Sequence, residues 1–172
     1  FWAIRIFMKI KSIYIALLGA SFAFSSCEKD DLCDGTDNQT PRLHISLYDQ
    51  YNVENKKPAE YAKWYIVGEE TFLEATNVSD LYLPLIPGTT STQWTIELYD
   101  VIGEEKFLTG SETLQFSYSP ENIYISKACG FKTNFNAFSY QRLNTPNPWM
   151  GGVSLTTNSI TDEKNVHVQV FY

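Results

Sequence analysis

Thr92-Gln93-Trp94-Thr95-Ile96-Glu97-Leu98-Tyr99 is the stretch on which the fold turns. Trp94, Ile96 and Leu98 fall on one side, and Gln93, Thr95 and Glu97 on the other. Only an extended strand converts a period of two into one apolar and one wet face. The same alternation recurs on both sides of it. Arg42 to Tyr48 sets Leu43, Ile45 and Leu47 against His44, Ser46 and Tyr48. Tyr61 to Val67 carries bulk on both faces and predicts a central strand. Leu81, Leu83 and Leu85 alternate with Tyr82 and Pro84, the proline marking an edge or a strand end.

Further along, Thr113 to Tyr118 offers Leu114, Phe116 and Tyr118 to a core. Ser119-Pro120-Glu121-Asn122 reads as a turn by composition. Ile123 to Phe135 reads as one or two strands with a bulge at Gly130. Residues 136–149, with Asn144, Pro146, Asn147 and Pro148, read as a long loop. Gly152 to Thr157 and Asn165 to Tyr172 close the series. After residue 26 no stretch shows a helical period, and no internal repeat is found. About eight short strands with turn signals between them predict an all-β chain, an antiparallel β-sandwich of immunoglobulin-like arrangement, with a small closed barrel as the alternative. A tyrosine corner would put a tyrosine two residues before a strand cysteine, whereas Tyr124 lies five before Cys129.

The first 26 residues have a different character. The first methionine is Met8, so Phe1 to Phe7 are expected to lie upstream of the start. Lys9 and Lys11 then precede an apolar run, Ile13 to Phe24, that is short against the roughly 20 helical residues a bilayer core needs. That order predicts a cleaved signal. Phe24-Ser25-Ser26-Cys27 puts two small residues before a thiol and resembles the lipobox of bacterial lipoproteins, although Phe24 stands where leucine is preferred. The resemblance implies acylation of Cys27, which would become the first residue of the mature chain. Stable anchoring takes two or more acyl chains. Glu28-Lys29-Asp30-Asp31 resembles the surface-export signal of Bacteroidota lipoproteins. It implies the outer membrane, cell surface or periplasmic face, with Lys29, Asp30 and Asp31 as the signal.

The expected organisation is therefore a signal over 1–26, an acidic tether over 27–41 and one domain over 42–172. Cleavage would remove three of the 13 basic residues and none of the 20 acidic ones, leaving a net charge of −10. Such a chain is repelled by phosphate backbones, which argues against nucleic-acid binding. With Cys27 acylated, Cys33 and Cys129 are expected either to pair in an oxidising compartment or to remain separate thiols with Cys129 buried.

Chemistry-bearing residues are sparse, and no cofactor, metal or catalytic motif emerges. His44 and His167 face away from the apolar side of their strands and are expected to meet water. If the first and last strands pair, the two rings could meet, but a metal asks for three or four donors. Asp30, Asp31, Asp34-Gly35 and Asp37-Asn38 depart from the EF-hand order and read as a solvated tether. Glu69-Glu70 and Glu104-Glu105 could suggest a glycosidase pair, which needs two carboxylates facing across a cleft. Both sit in expected hairpin turns. No nucleophilic elbow appears, and no serine or cysteine with a neighbouring histidine was recognised.

Aromatic residues make up 15% of the chain. Trp64 and Trp94 are expected in the core. Tyr61, Tyr65, Tyr99, Tyr140 and Trp149 could form a stacking surface, and Trp149, in Pro146-Asn147-Pro148-Trp149-Met150, is the favoured contact residue because a loop offers less core to fill.

Four phrases together, Cys27 to Asp31, Thr40-Pro41-Arg42-Leu43, Leu81-Tyr82-Leu83-Pro84-Leu85 and Ser126 to Thr133, resemble a family of small Bacteroidota outer-membrane lipoproteins of unknown function. The resemblance implies phylum and compartment and carries no activity. The expected function is a non-catalytic, lipid-anchored module that binds a protein partner such as an outer-membrane β-barrel complex. The alternative is a surface glycan-binding module or glycan hydrolase using exposed aromatics.

Overall fold

A computed structural model describes Cys33 and residues 38–172. The expected signal, Cys27, Lys29, Asp30, Asp31 and most of the tether lie outside the described residues. Nine strands follow one another: β1 (Leu43–Tyr48), β2 (Ala59–Ile66), β3 (Phe72–Val78), β4 (Asp80–Leu83), β5 (Ser91–Ile102), β6 (Glu105–Ser126), β7 (Gly130–Asn147), β8 (Gly152–Leu155) and β9 (Val168–Phe171). They form two sheets, one ordered β4-β1-β9-β8 and the other β3-β2-β5-β6-β7. The chain is an all-β sandwich. Neighbouring strands run antiparallel except β1 and β9, which pair in parallel from Ile45 and Val168 to Tyr48 and Phe171.

The alternating residues predicted to face inward do so. Leu43, Ile45 and Leu47 of β1, Leu81 and Leu83 of β4 and Val168 and Val170 of β9 meet Trp64, Trp94, Ile96, Leu98, Leu114 and Phe116 of the five-stranded sheet. Each large apolar side chain buried this way stabilises the fold by about 1.5–3 kcal/mol. Tyr118 ties a loop to this core. Its hydroxyl accepts from Ile86 N–H at 3.1 Å and bonds to Thr92 Oγ1 at 2.5 Å.

Two sequence expectations are corrected. Ser119 to Asn122 is strand, not turn: β6 runs through it, and Pro120 lies opposite Phe135. The proline is tolerated because the pairing of β5 with β6 begins only at Ser91 opposite Ser117, leaving β6 with one neighbour beyond that point. Gly130, at φ +70° and opposite Ser126, stands at the bulge expected there, where the register shifts between Tyr124 and Ser126. A further bulge, not anticipated, lies in β7 at Ala137, at φ +50°, where the register shifts between Ser117 and Ser119. Residues 136–147 belong to β7 rather than to a loop. Since β7 is the edge of its sheet, Pro146 deprives no further strand of a donor. β3 was not anticipated at all.

Candidate functional site

Three places hold chemistry or exposed apolar surface. The first is a polar knot on the outer side of the four-stranded sheet. β1 and β9 pair, so the two histidines do meet: the His44 backbone N–H donates to His167 Nδ1 at 2.9 Å, and the rings lie edge to face at 6.4 Å. The expectation that both face water is corrected, for His44 is 6% and His167 2% exposed. The segment leading into β9 covers them, and Tyr82 stacks on His44 at 4.6 Å. Asp80 is the centre of the knot. It accepts from Lys56 Nζ at 2.5 and 2.7 Å, from Ser79 Oγ at 3.1 Å and from Ser46 Oγ, and lies 2.9 Å from His44 Nε2. Burial opposes ionisation of its carboxyl. The bonds from Lys56, Ser46, His44 and Ser79 outweigh that and hold it well below the usual carboxylate range.

Ser46, His44 and Asp80 are the residue types of a hydrolase triad, and the His44-Ile45-Ser46 spacing that joins two of them was missed in the sequence. Their arrangement is nonetheless different. A triad places the histidine between serine and acid, one on each ring nitrogen. Here Ser46 donates directly to Asp80, both sit on the Nε2 side of His44, and Nδ1 faces the Asn165 carbonyl at 3.1 Å. Ser46 is fully buried. The group pins β1, β4 and the Lys56 loop together. Among the described residues, no cluster of three or more histidine, cysteine or acidic side chains could hold a metal ion.

The second place is the open edge where the sheets part beside β3. Ile66, Thr71, Phe72, Leu73, Pro84 and Trp94 line an apolar groove of about 210 Å³. Phe72 and Leu73 are 50% and 42% exposed. β3 is an edge strand, so its outer backbone groups are unpaired with any strand. Trp94 lies almost fully buried in the groove wall with no hydrogen-bond partner for its indole N–H. On the outer face behind it, Lys63 sits 4.4 Å over the Phe72 ring, and the phenols of Tyr65 and Tyr99 donate to Glu97 at 3.1 and 2.7 Å. Tyr61, under Lys106 at 3.5 Å, donates to Glu74. Burial and that bond push its phenol up to about 12.

The third place is the far end of the β6–β7 hairpin. Cys33 and Cys129 form a disulfide, the first of the two alternatives the sequence left open, with Cα atoms 5.0 Å apart. Cys129 lies in the turn between β6 and β7. Tyr124 and Phe131, opposite each other beside that turn, are 59% and 66% exposed.

The remaining predicted residues are dispersed. Glu69-Glu70 follows β2 and Glu104-Glu105 follows β5, which are antiparallel, so the pairs sit at opposite ends of the sheet. The eight residues from Trp94 to Ile102 put them roughly 25 Å apart at strand rise, too far to face each other across one sugar. Trp149 has more core to fill than a loop suggests, and that expectation is corrected. It is half-buried, its indole N–H donates to the Ile96 carbonyl at 3.1 Å, and its ring meets Tyr172 edge to face.

What holds it there is Glu112, a residue that sequence reasoning passed over. Glu112 is 1% exposed and bonds to Arg142 Nε at 2.8 Å. Its other oxygen accepts from the backbone N–H groups of Trp149 and Met150 at 3.1 and 3.4 Å. Extending the Leu114, Phe116, Tyr118 alternation back by one step would have placed this carboxylate inside.

No curated protein and no solved structure matches the chain. A family of unknown function, DUF6452, matches residues 63–172, from the middle of β2 to the last residue, and so takes in the groove, the hairpin and β9. The chain belongs to that family.

Proposed function

We propose that this protein is a bacterial lipoprotein held by an acylated Cys27 to the outer membrane, facing the cell surface, and that it works there by binding a protein partner. The observation that carries the reading is the Cys33–Cys129 bridge. Disulfides persist in oxidising compartments and are rare in the cytosol, which favours the export that Lys9, Lys11, the Ile13 to Phe24 run and the Ser25-Ser26-Cys27 sequence suggest. Lys29, Asp30 and Asp31 favour the outer face, with the periplasmic face as the other possibility.

The groove beside β3 supports the binding role. An edge strand with a flanking apolar cleft is the geometry that accepts an extended segment as an added strand, with alternate side chains entering the cleft. Phe72 and Leu73 would flank that segment. A subunit of an outer-membrane β-barrel complex is the proposed partner, since it would share the membrane. The Ser46 hydroxyl, fully buried and bonded to Asp80 outside a triad geometry, favours binding over hydrolysis.

The test is made on native membranes. Mass spectrometry of the mature N-terminus should show an acylated Cys27, and a photo-crosslinker at Phe72 should capture one stoichiometric membrane protein. A peptide reading unmodified from Ser26 through Glu28 removes the anchor. Purification alone in mild detergent, with no adduct at Phe72, removes the partner.

A further inference from the structure

We propose that the tip of the β6–β7 hairpin rests on the lipid surface that bears the anchor, with the Tyr124 and Phe131 rings in the headgroup layer. The inference rests on the acylation of Cys27 proposed above. Cys33 lies six positions after Cys27. A chain of that length spans at most about 20 Å, and Cys33 is bonded to Cys129 in the hairpin turn. The turn is therefore held within that distance of the bilayer interface whatever path the intervening residues take. Thr40, which accepts a hydrogen bond from the Thr133 N–H, lies thirteen residues from Cys27. With that tie alone the reach would be roughly 45 Å. The bridge makes this end of the domain the one most tightly tied to the anchor.

The residues at that end suit the site. Phe131 is two positions past Cys129, and Tyr124 stands opposite it with ring centroids 5.3 Å apart. The rings cover each other in part, yet both remain more than half exposed. The distal hairpin projects past the start of β5, so among the described residues no third strand packs beside Tyr124 and Phe131. Tyr124, a ring with one polar edge, suits the membrane–water interface, and Phe131 adds apolar area beside it. Lys127 in the turn, and Lys132 beside Phe131, place cations at headgroup level. The mature chain is strongly acidic overall, so the contact is through rings entering the interface rather than through attraction to anionic lipid.

The test uses the full lipidated protein in phosphatidylcholine and phosphatidylethanolamine vesicles containing a lipid spin-labelled near its headgroup. A fluorinated phenylalanine is placed at Phe131 or, in a second sample, at Phe107. Phe107 is 48% exposed and lies at the opposite end of β6, on the order of 50 Å away at strand rise. The expected result is loss of the fluorine resonance at 131 with the resonance at 107 intact. Mass spectrometry of the same samples reports on Cys27. An acylated Cys27 with the 131 signal unbroadened overturns this inference and leaves the anchor standing. Equal loss at both positions overturns it as well, since the domain would then lie on the bilayer without preference for the hairpin tip. An unmodified Cys27 overturns the anchor and this inference together.

Discussion

Gly110 and Trp149 approach so closely that a Cβ on Gly110 would stand 2.5 Å from the Cβ of Trp149 and 2.8 Å from two atoms of its ring system. The glycine makes room for the indole whose N–H reaches Ile96. Gly110→Ala should therefore displace Trp149 and cost about 1–3 kcal/mol, the usual range for overpacking. Chemical denaturation should show a lower midpoint, and tryptophan emission should shift to the red. A variant with unchanged midpoint and spectrum would mean the loop yields without cost.

Glu112 and Arg142 form a second dependence. Removing the carboxylate by Glu112→Ala leaves a guanidinium and two backbone donors without their acceptor. Arg142 is 36% exposed and can turn to water, so the cost is mainly that of the backbone donors left unpaired, about 1–3 kcal/mol. The double variant Glu112→Ala with Arg142→Ala should lose clearly less than the two single losses combined, because the pair is one unit. Additive losses in a double-mutant cycle would contradict that.

The bridge between Cys33 and Cys129 joins residues 96 positions apart. In the chain-entropy model a loop of that length confers about 4–5 kcal/mol by restricting the unfolded chain. Reduction, or Cys33→Ser, should lower the unfolding midpoint, with the wild type moved and the variant unaffected by reductant. Equal midpoints in both would show that the bridge adds nothing to stability.

Acid should weaken the fold in two stages. Burial holds the His167 imidazole below its ordinary 6.5, and the neighbouring His44 acts in the same sense, while Asp162 opposes them. The unfolded chain then binds a proton there before the folded one does, so stability falls as pH drops below about 6.5 and the loss ends once the folded ring protonates. Asp80 is held below its ordinary 3.8, so its contribution is complete above that value and is lost as pH falls through the folded value. Urea midpoints taken from about pH 7 down to 5 should fall more steeply for the wild type than for His167→Asn. Identical slopes would clear His167 of any part in it.

The central strands were legible because their side chains obey the pleat. Trp94, Ile96 and Leu98 face inward as their spacing requires, and so do Leu43, Ile45 and Leu47. The extended hairpin was not legible. Pro120, Gly130, Asn144 and Pro146 are turn residues in isolation, but at single-neighbour or edge positions they break no hydrogen bond that another strand needs. β3 escaped because Phe72 to Val78 is largely exposed, so no apolar face sets its period. The polar knot was hidden for a topological reason. His44, Asp80 and His167 are scattered along the chain and converge only because β1 lies between β4 and β9. Cys33 and Cys129 were readable as a possible pair once Cys27 was set aside for acylation, whereas the exposed rings beside the bridge required the β6–β7 register.

The parallel pairing of β1 with β9 bears on when the molecule can close. Ile45 must wait for Val168, more than a hundred residues downstream, before its sheet has a neighbour on that side. Such distant contacts form slowly because the loop entropy is lost before any contact is gained. Under the export proposed above the delay would be useful: the first strand would emerge early, yet the seam that completes the sheet could not be drawn shut until the final residues had followed it across.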